Sequence, residues 1–138
     1  RNDHRHQYAR WTGSEWVHHE VAQTGASVKD GGFPMSGGIY LNHKAPSIVY
    51  SARQTGPGVY QIFKCRTPDG GATWENLNRI EGRKDQKNFR PNYVRNSPIA
   101  GKEGVEIMWN SGHVYDGRTD YDTDIWAWPQ HMPVSGSS

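Results

Sequence analysis

Arg90, set directly before Pro91, is the group in this chain best suited to grip an anion. A guanidinium presents a planar fork of N–H donors and holds a carboxylate through two parallel hydrogen bonds. His4, His6, Tyr8 and Arg10 alternate along one short segment, and in an extended strand alternate side chains share a face. Such a face offers a base to take a proton from the carbon beside a carboxylate, an acid for a leaving oxygen, and a cation to neutralise charge. Arg90, His4, His6 and Tyr8 are therefore the candidate catalytic groups. Arg90, Tyr40, His43, Arg53, His113 and Tyr121 are the candidate substrate-binding groups, since aromatic rings can stack on the C–H faces of sugar rings; Tyr115 clusters with His113 and Tyr121. Each has a structural alternative: an Arg paired inside the fold, a histidine on the surface, an aromatic ring packed between sheets.

Metal chemistry has weaker support. His18, His19 and Cys65 lack the paired spacing of a zinc site. Asp116, Asp120, Asp122 and Asp124 lack the ligand order and glycine of an EF-hand loop, and read as solvated turn carboxylates. No metal ligands and no cofactor are expected, and neither zinc nor calcium has a motif behind it.

The elements that must position these groups are strands. Hydrophobic residues are only 33% of the 138, but 16 glycines, six Trp and seven Tyr accompany them. A glycine-rich, aromatic-rich chain with short β-branched runs indicates an all-β fold with many turns. The expected strands lie near 5–11, 15–22, 37–42, 47–53, 59–66, 73–79, 89–95, 104–110 and 121–128. A net charge of +2 with scattered Lys and Arg does not indicate a nucleic-acid partner, and no apolar run approaches the roughly 18 residues of a membrane span. The single cysteine, Cys65, excludes an internal disulfide. The start on Arg1 reads as a position inside a longer gene product or after processing.

A repeat is visible in the Trp-bearing hairpins. Trp16 and Trp74 each stand at the start of an expected strand, 58 residues apart (74 − 16), a spacing compatible with a four-stranded propeller blade carrying one long loop. On that period residues 1–128 hold the last strands of one blade, a complete blade at about 37–80 and three strands of another. Residues 129–138 read as a flexible tail. The connections at 23–36 and 80–88 become loops on the rim.

Thr67-Pro68-Asp69-Gly70-Gly71-Ala72-Thr73-Trp74 matches the Asp-box pattern Ser/Thr-x-Asp-x-Gly-x-Thr-Trp at every specified position. Asp69 can accept hydrogen bonds from the turn's own N–H groups, Gly71 can supply a positive φ, Thr73 can return a hydroxyl bond, and Trp74 can plug the hairpin from below. Thr67, Asp69, Gly71, Thr73 and Trp74 are thus expected to stabilise a turn and touch no substrate. With the segments 36–50, 60–64, 88–91 and 119–123, the chain from about 4 to 128 resembles the closing blades of bacterial-neuraminidase-repeat propellers, in the branch similar to ulvan lyases.

That resemblance implies about two to three four-stranded antiparallel blades of a seven-bladed ring, an extracellular or periplasmic setting, and polysaccharide chemistry in or beside an axial groove. The expected activity is β-elimination on uronate-containing glycans, with a sialidase-like exo-glycosidase or a non-catalytic glycan-binding propeller as alternatives. A sialidase-like site calls for a Tyr–Glu nucleophile pair, and none is evident in the sequence. The expected partners are a polysaccharide and the blades that complete the ring, from the same or a separate chain or by self-association. The resemblance implies a whole protein about three times as long as this chain, with the catalytic His pair of the lyases in earlier blades, so the fragment by itself is not expected to carry the full activity.

Overall fold

The computed structural model describes residues 3–27, 36–80, 82–83, 85–94, 105–114, 121–129 and 132–133. The fold is all-β, with no helix among the described residues. The strands are β1 (His4–Trp11), β2 (Trp16–Gly25), β3 (Ile39–Leu41), β4 (Ile48–Gly56), β5 (Val59–Arg66), β6 (Glu75–Ile80), β7 (Lys87–Tyr93), β8 (Ile107–Val114), β9 (Tyr121–Trp128) and β10 (Met132–Pro133).

β1 and β2 form a two-stranded sheet. β3–β4–β5–β6 is an antiparallel meander, and β7–β8–β9–β10 is a second one. A parallel bridge, Tyr60 opposite Lys87, joins the two meanders into one eight-stranded sheet that, among the described residues, does not close on itself. β10 falls within the segment read as a tail, where two residues pair with the edge of β9. An edge strand offers a ladder of unpaired N–H and C=O groups, and even a short segment without hydrophobic alternation can take it.

β4 and β5 are covered on both faces. Tyr50, Ala52 and Ile62 join Ile80, Ile107 and Trp109 in one buried cluster, with Tyr93, Trp126 and Trp128 packed around it. On the opposite face of β4, Ser51 meets His6 of β1. Burial on both faces explains the uninterrupted apolar run Ile48-Val49-Tyr50 and the run of buried residues Val49 to Ala52, where a half-solvated strand would alternate. The fold thus builds a core from few aliphatic residues by using large aromatic ones, each able to bury roughly 150–250 Å².

The junction of the meanders is pinned by Asn88, which is fully buried. Its amide nitrogen donates to the carbonyls of Tyr60 (2.9 Å) and Arg83 (3.1 Å), and its oxygen accepts from Trp109 Nε1 (3.0 Å). Replacing Asn88 with alanine strands a buried indole N–H and two carbonyls, and each unsatisfied buried group costs about 1–3 kcal/mol. Asn88→Ala is expected to lower unfolding stability by about 2–3 kcal/mol in urea denaturation. A loss below about 0.5 kcal/mol, the range of ordinary surface substitutions, would remove this role from Asn88.

Candidate functional site

The Thr67–Trp74 turn is closed by its own side chains. Asp69 Oδ1 accepts from the Thr73 amide (2.8 Å) and the Thr67 hydroxyl (3.0 Å), and Oδ2 accepts from the Thr73 hydroxyl (2.6 Å). The hydroxyl and then the amide of Thr73 hold the Asp69 carboxyl below its ordinary pKa. Gly71 donates its N–H to Thr67 Oγ1 (2.7 Å), and its carbonyl accepts from Trp74 Nε1 (2.9 Å). Gly71 has a φ of 110°, and a Cβ there would sit 2.8 Å from the Tyr8 ring. The Tyr8 ring meets Trp74 edge-on, with centroids 5.1 Å apart. The turn therefore fastens the β1–β2 sheet to the first meander, and its polar groups are committed internally.

His6 and Tyr8 share a face of β1, and that face is turned into the same seam. His6 is buried, with Nδ1 2.9 Å from Ser51 Oγ and Nε2 2.8 Å from Ser36 Oγ. Tyr8 donates its hydroxyl to the Pro46 carbonyl (3.0 Å), and Arg10 lies against Gly70. His4 Nδ1 is buried and has no hydrogen-bond partner among the described residues. The atoms that would move protons at His6 and Tyr8 thus already bind protein, which the sequence alone did not reveal.

Arg90 stands apart. It is the fourth residue of β7, within the irregular register between Phe89 and Asn92, and not at the start of the strand as expected. Its φ is 54°, in the left-handed region. Its amide donates to the Gly37 carbonyl (2.6 Å), and its carbonyl accepts from Asn92 Nδ2 (3.1 Å). Gly38, with φ 94°, lets the two backbones approach, since a Cβ there would come within 3.4 Å of Arg90 Cα. The buried Pro91 disfavours the right-handed helical conformation at Arg90. The side chain is exposed, with its guanidinium carbon 6.0 Å from the Phe89 ring centroid.

The remaining candidates do not converge on Arg90. Tyr40 and His43 form an edge-on pair, centroids 5.7 Å apart, beside the β3–β4 turn. His113 is exposed on β8 opposite Asp122, and Tyr121 begins β9 opposite Val114, at the other end of the sheet. Arg53 is turned inward: it donates to Ser51 Oγ (3.3 Å), Asn76 Oδ1 (3.1 Å) and Cys65 Sγ (2.9 Å), and its guanidinium lies 4.9 Å from the Phe63 ring centroid. Burial raises the Cys65 thiol pKa, with Arg53 acting against it. Near the β4–β5 turn, Thr55, Gly56, Pro57, Val59, Gln61, Arg79 and Asp85 line an open cleft of about 460 Å³, within the size range of ligand sites.

A Tyr–Glu pair absent from the sequence reading is formed by packing. Tyr50 donates its hydroxyl to Glu106 Oε1, which also accepts from Lys64 Nζ (2.6 Å), and Asn42 Nδ2 donates to the Tyr50 oxygen (3.2 Å). Tyr50 is fully buried and stacks on Tyr93, centroids 6.3 Å apart. Burial, and then the Glu106 carboxylate, push its pKa upward, so the phenol stays protonated and out of a sugar's reach. The partners are 56 residues apart in sequence, and no local spacing could have exposed them.

Among the described residues no three His, Cys, Asp or Glu side chains come together as a metal-ligand set. Asp124 pairs with Arg83 (2.5 Å), whereas Tyr115, Asp116 and Asp120 lie outside the described residues. In comparisons with known proteins the chain matches no family model, no curated protein and no solved structure.

Burial, the Arg53 charge and His4 lower the His6 pKa to about 4. The folded protein therefore keeps His6 neutral, while the unfolded chain takes up its proton below about pH 6.5. His6 contributes stability above that pH and loses it as pH falls from about 6.5 to 4, by up to about 3 kcal/mol for such a shift. Urea denaturation at pH 7 and pH 4.5 should show a smaller acid loss in His6→Gln than in the wild type; equal losses would rule His6 out as the source.

Proposed function

We propose that this chain is part of a polysaccharide-active β-propeller, with β1–β2 ending one blade and the two meanders forming the next two of a seven-bladed ring. Arg90 holds the carboxylate of a uronate-containing glycan, and the whole protein cleaves that glycan by β-elimination in an extracellular or periplasmic setting. The carrying observation is the backbone of Arg90. A non-glycine residue in the left-handed region costs about 1–2 kcal/mol, and such strain persists where it serves a site. Here the strained backbone is tied through its amide to the Gly37 carbonyl, just before β3, and the residue is exposed.

His6 and Tyr8 are held in the seam between sheets, so on this reading the proton-abstracting base comes from another blade. The same occupancy favours the second reading, a blade segment that binds glycan without acting on it. The sialidase-like reading lacks a nucleophile among these groups, because Tyr50 is sealed in the core.

Arg90→Gly and Arg90→Lys test the assignment. Glycine accepts the left-handed conformation freely, so Arg90→Gly should fold with stability equal to or about 1 kcal/mol above the wild type. It should lose about tenfold or more in affinity for ulvan or another glycuronan in affinity electrophoresis, because a charge-assisted carboxylate contact contributes about 1.5–3 kcal/mol. Arg90→Lys, with the charge but not the fork, should fall between. Elimination is read from the ultraviolet absorbance of the unsaturated uronate. If Arg90→Gly binds the polymer as the wild type does, Arg90 is not the clamp.

A further inference from the structure

Arg79 and Asp85 bring two unmatched charges of opposite sign to one cleft. The opening near the β4–β5 turn holds about 460 Å³, and both residues line it together with Thr55, Pro57, Val59 and Gln61. Arg79 belongs to β6 and Asp85 to the connection from β6 to β7, and both are exposed. Among the described residues neither side chain has an ion-pair or hydrogen-bond partner, so the two do not neutralise each other. Other arginines at the surface are matched: Arg5 by Asp3 and Glu20, Arg66 by Glu75, and Arg83 by Asp124.

The sheet register explains how these groups meet. Gln61 of β5 stands opposite Arg53, Phe63 opposite Ser51, and Arg79 opposite Phe63, so Gln61 and Arg79 lie on the face of the first meander that carries Ser51 and Arg53. Arg53 is drawn into bonds with Asn76 and Cys65, whereas Arg79, one strand further out, is not. Gln61 is only 7% exposed, yet its side-chain amide has no hydrogen-bond partner among the described residues. Buried amides are ordinarily paired, and the space beside this one is the cleft. Asp85 is held in place by the backbone: its φ is 56°, and the next residue, Gln86, accepts a hydrogen bond from the Tyr60 amide (3.1 Å).

We infer that this cleft binds a small zwitterion carrying a carboxylate and an ammonium group, of which a free α-amino acid is the simplest. Its carboxylate lies on the Arg79 fork and its ammonium on Asp85. The Gln61 amide and the Thr55 hydroxyl supply the remaining hydrogen bonds, and Pro57 and Val59 receive an aliphatic side chain. A simple anion would face Asp85 and a simple cation would face Arg79, so each is disfavoured by the charge it leaves unmatched. A glycuronan, with a carboxylate on each uronate, meets the same obstacle at Asp85. This site is therefore separate from the carboxylate clamp proposed at Arg90, and neither assignment depends on the other.

Titration of the ¹⁵N-labelled chain, followed by NMR at neutral pH and low salt, tests it with three probes of nearly one shape: L-valine, 3-methylbutanoate without the ammonium, and 2-methylpropylamine without the carboxylate. Valine should shift the Gln61 side-chain amide and the Val59 and Arg79 backbone amides saturably, and each single-charge probe should bind about fivefold more weakly, the size of a partly exposed ion-pair contact. Arg79→Gln should bring valine down to the level of the amine, and Asp85→Asn down to that of the carboxylate. Asn accepts the left-handed conformation about as well as Asp, and both side chains are exposed, so both variants should melt within a few degrees of the wild type. Absence of a saturable valine shift overturns the inference. So does 3-methylbutanoate binding as tightly as valine, which would make the cleft an anion site only, or a neutral methyl glycoside shifting the same amides at lower concentration than valine, which would make it a sugar site.

Discussion

Burial of β4 and β5 from both sides is the constraint on which the rest of the structure depends. An isolated two-stranded sheet such as β1–β2 is marginal in water and needs a further layer to pack on. Here Tyr50, Ala52 and Ile62 face the second meander, while Ser51 and Arg53 face the β1–β2 side. The middle strands become the inside of a layered stack, and each outer layer gains a surface against which to bury its own aromatic rings. A chain with only 33% hydrophobic residues can sustain such a core because Tyr and Trp supply the area that Leu and Ile supply elsewhere.

Layering of this kind forces polar groups into the seams, and the seams are where specific partners occur. On one side His6 bridges Ser51 and Ser36, and Arg53 reaches Asn76 and Cys65. On the other, Lys64 and Tyr50 share Glu106, and Asn88 satisfies three groups at the meander junction. Burying such groups unpaired would cost more than any single apolar contact returns, so each network fixes which strand lies against which. The same logic explains why the most reactive-looking residues of the chain are not its best candidates for chemistry: desolvation gives His6 and Tyr50 shifted pKa values, and their bonds close them to a substrate.

Arg90 shows the reverse pattern. Its backbone is strained and tied to Gly37, yet its side chain is exposed. Arg90 thus combines a left-handed backbone conformation with exposure of the residue, and that combination separates it from the other cations considered.

The strands, the turns and the Thr67–Trp74 hydrogen bonds were legible in the sequence because they are local. Alternation, glycine and proline placement, and bonds between residues a few positions apart are written directly along the chain. The sharing of one face by His6 and Tyr8 was legible for the same reason. Which way that face points was not, since burial is decided by whichever sheet packs on it. The Tyr50–Glu106 pair, the inward turn of Arg53, the bulge that carries Arg90 and the pairing of Met132–Pro133 with β9 all depend on contacts between strands distant in sequence. Local backbone preferences determined the elements of this protein; only the stacking of its sheets decided which side chains were buried in the seams and which stayed at the surface.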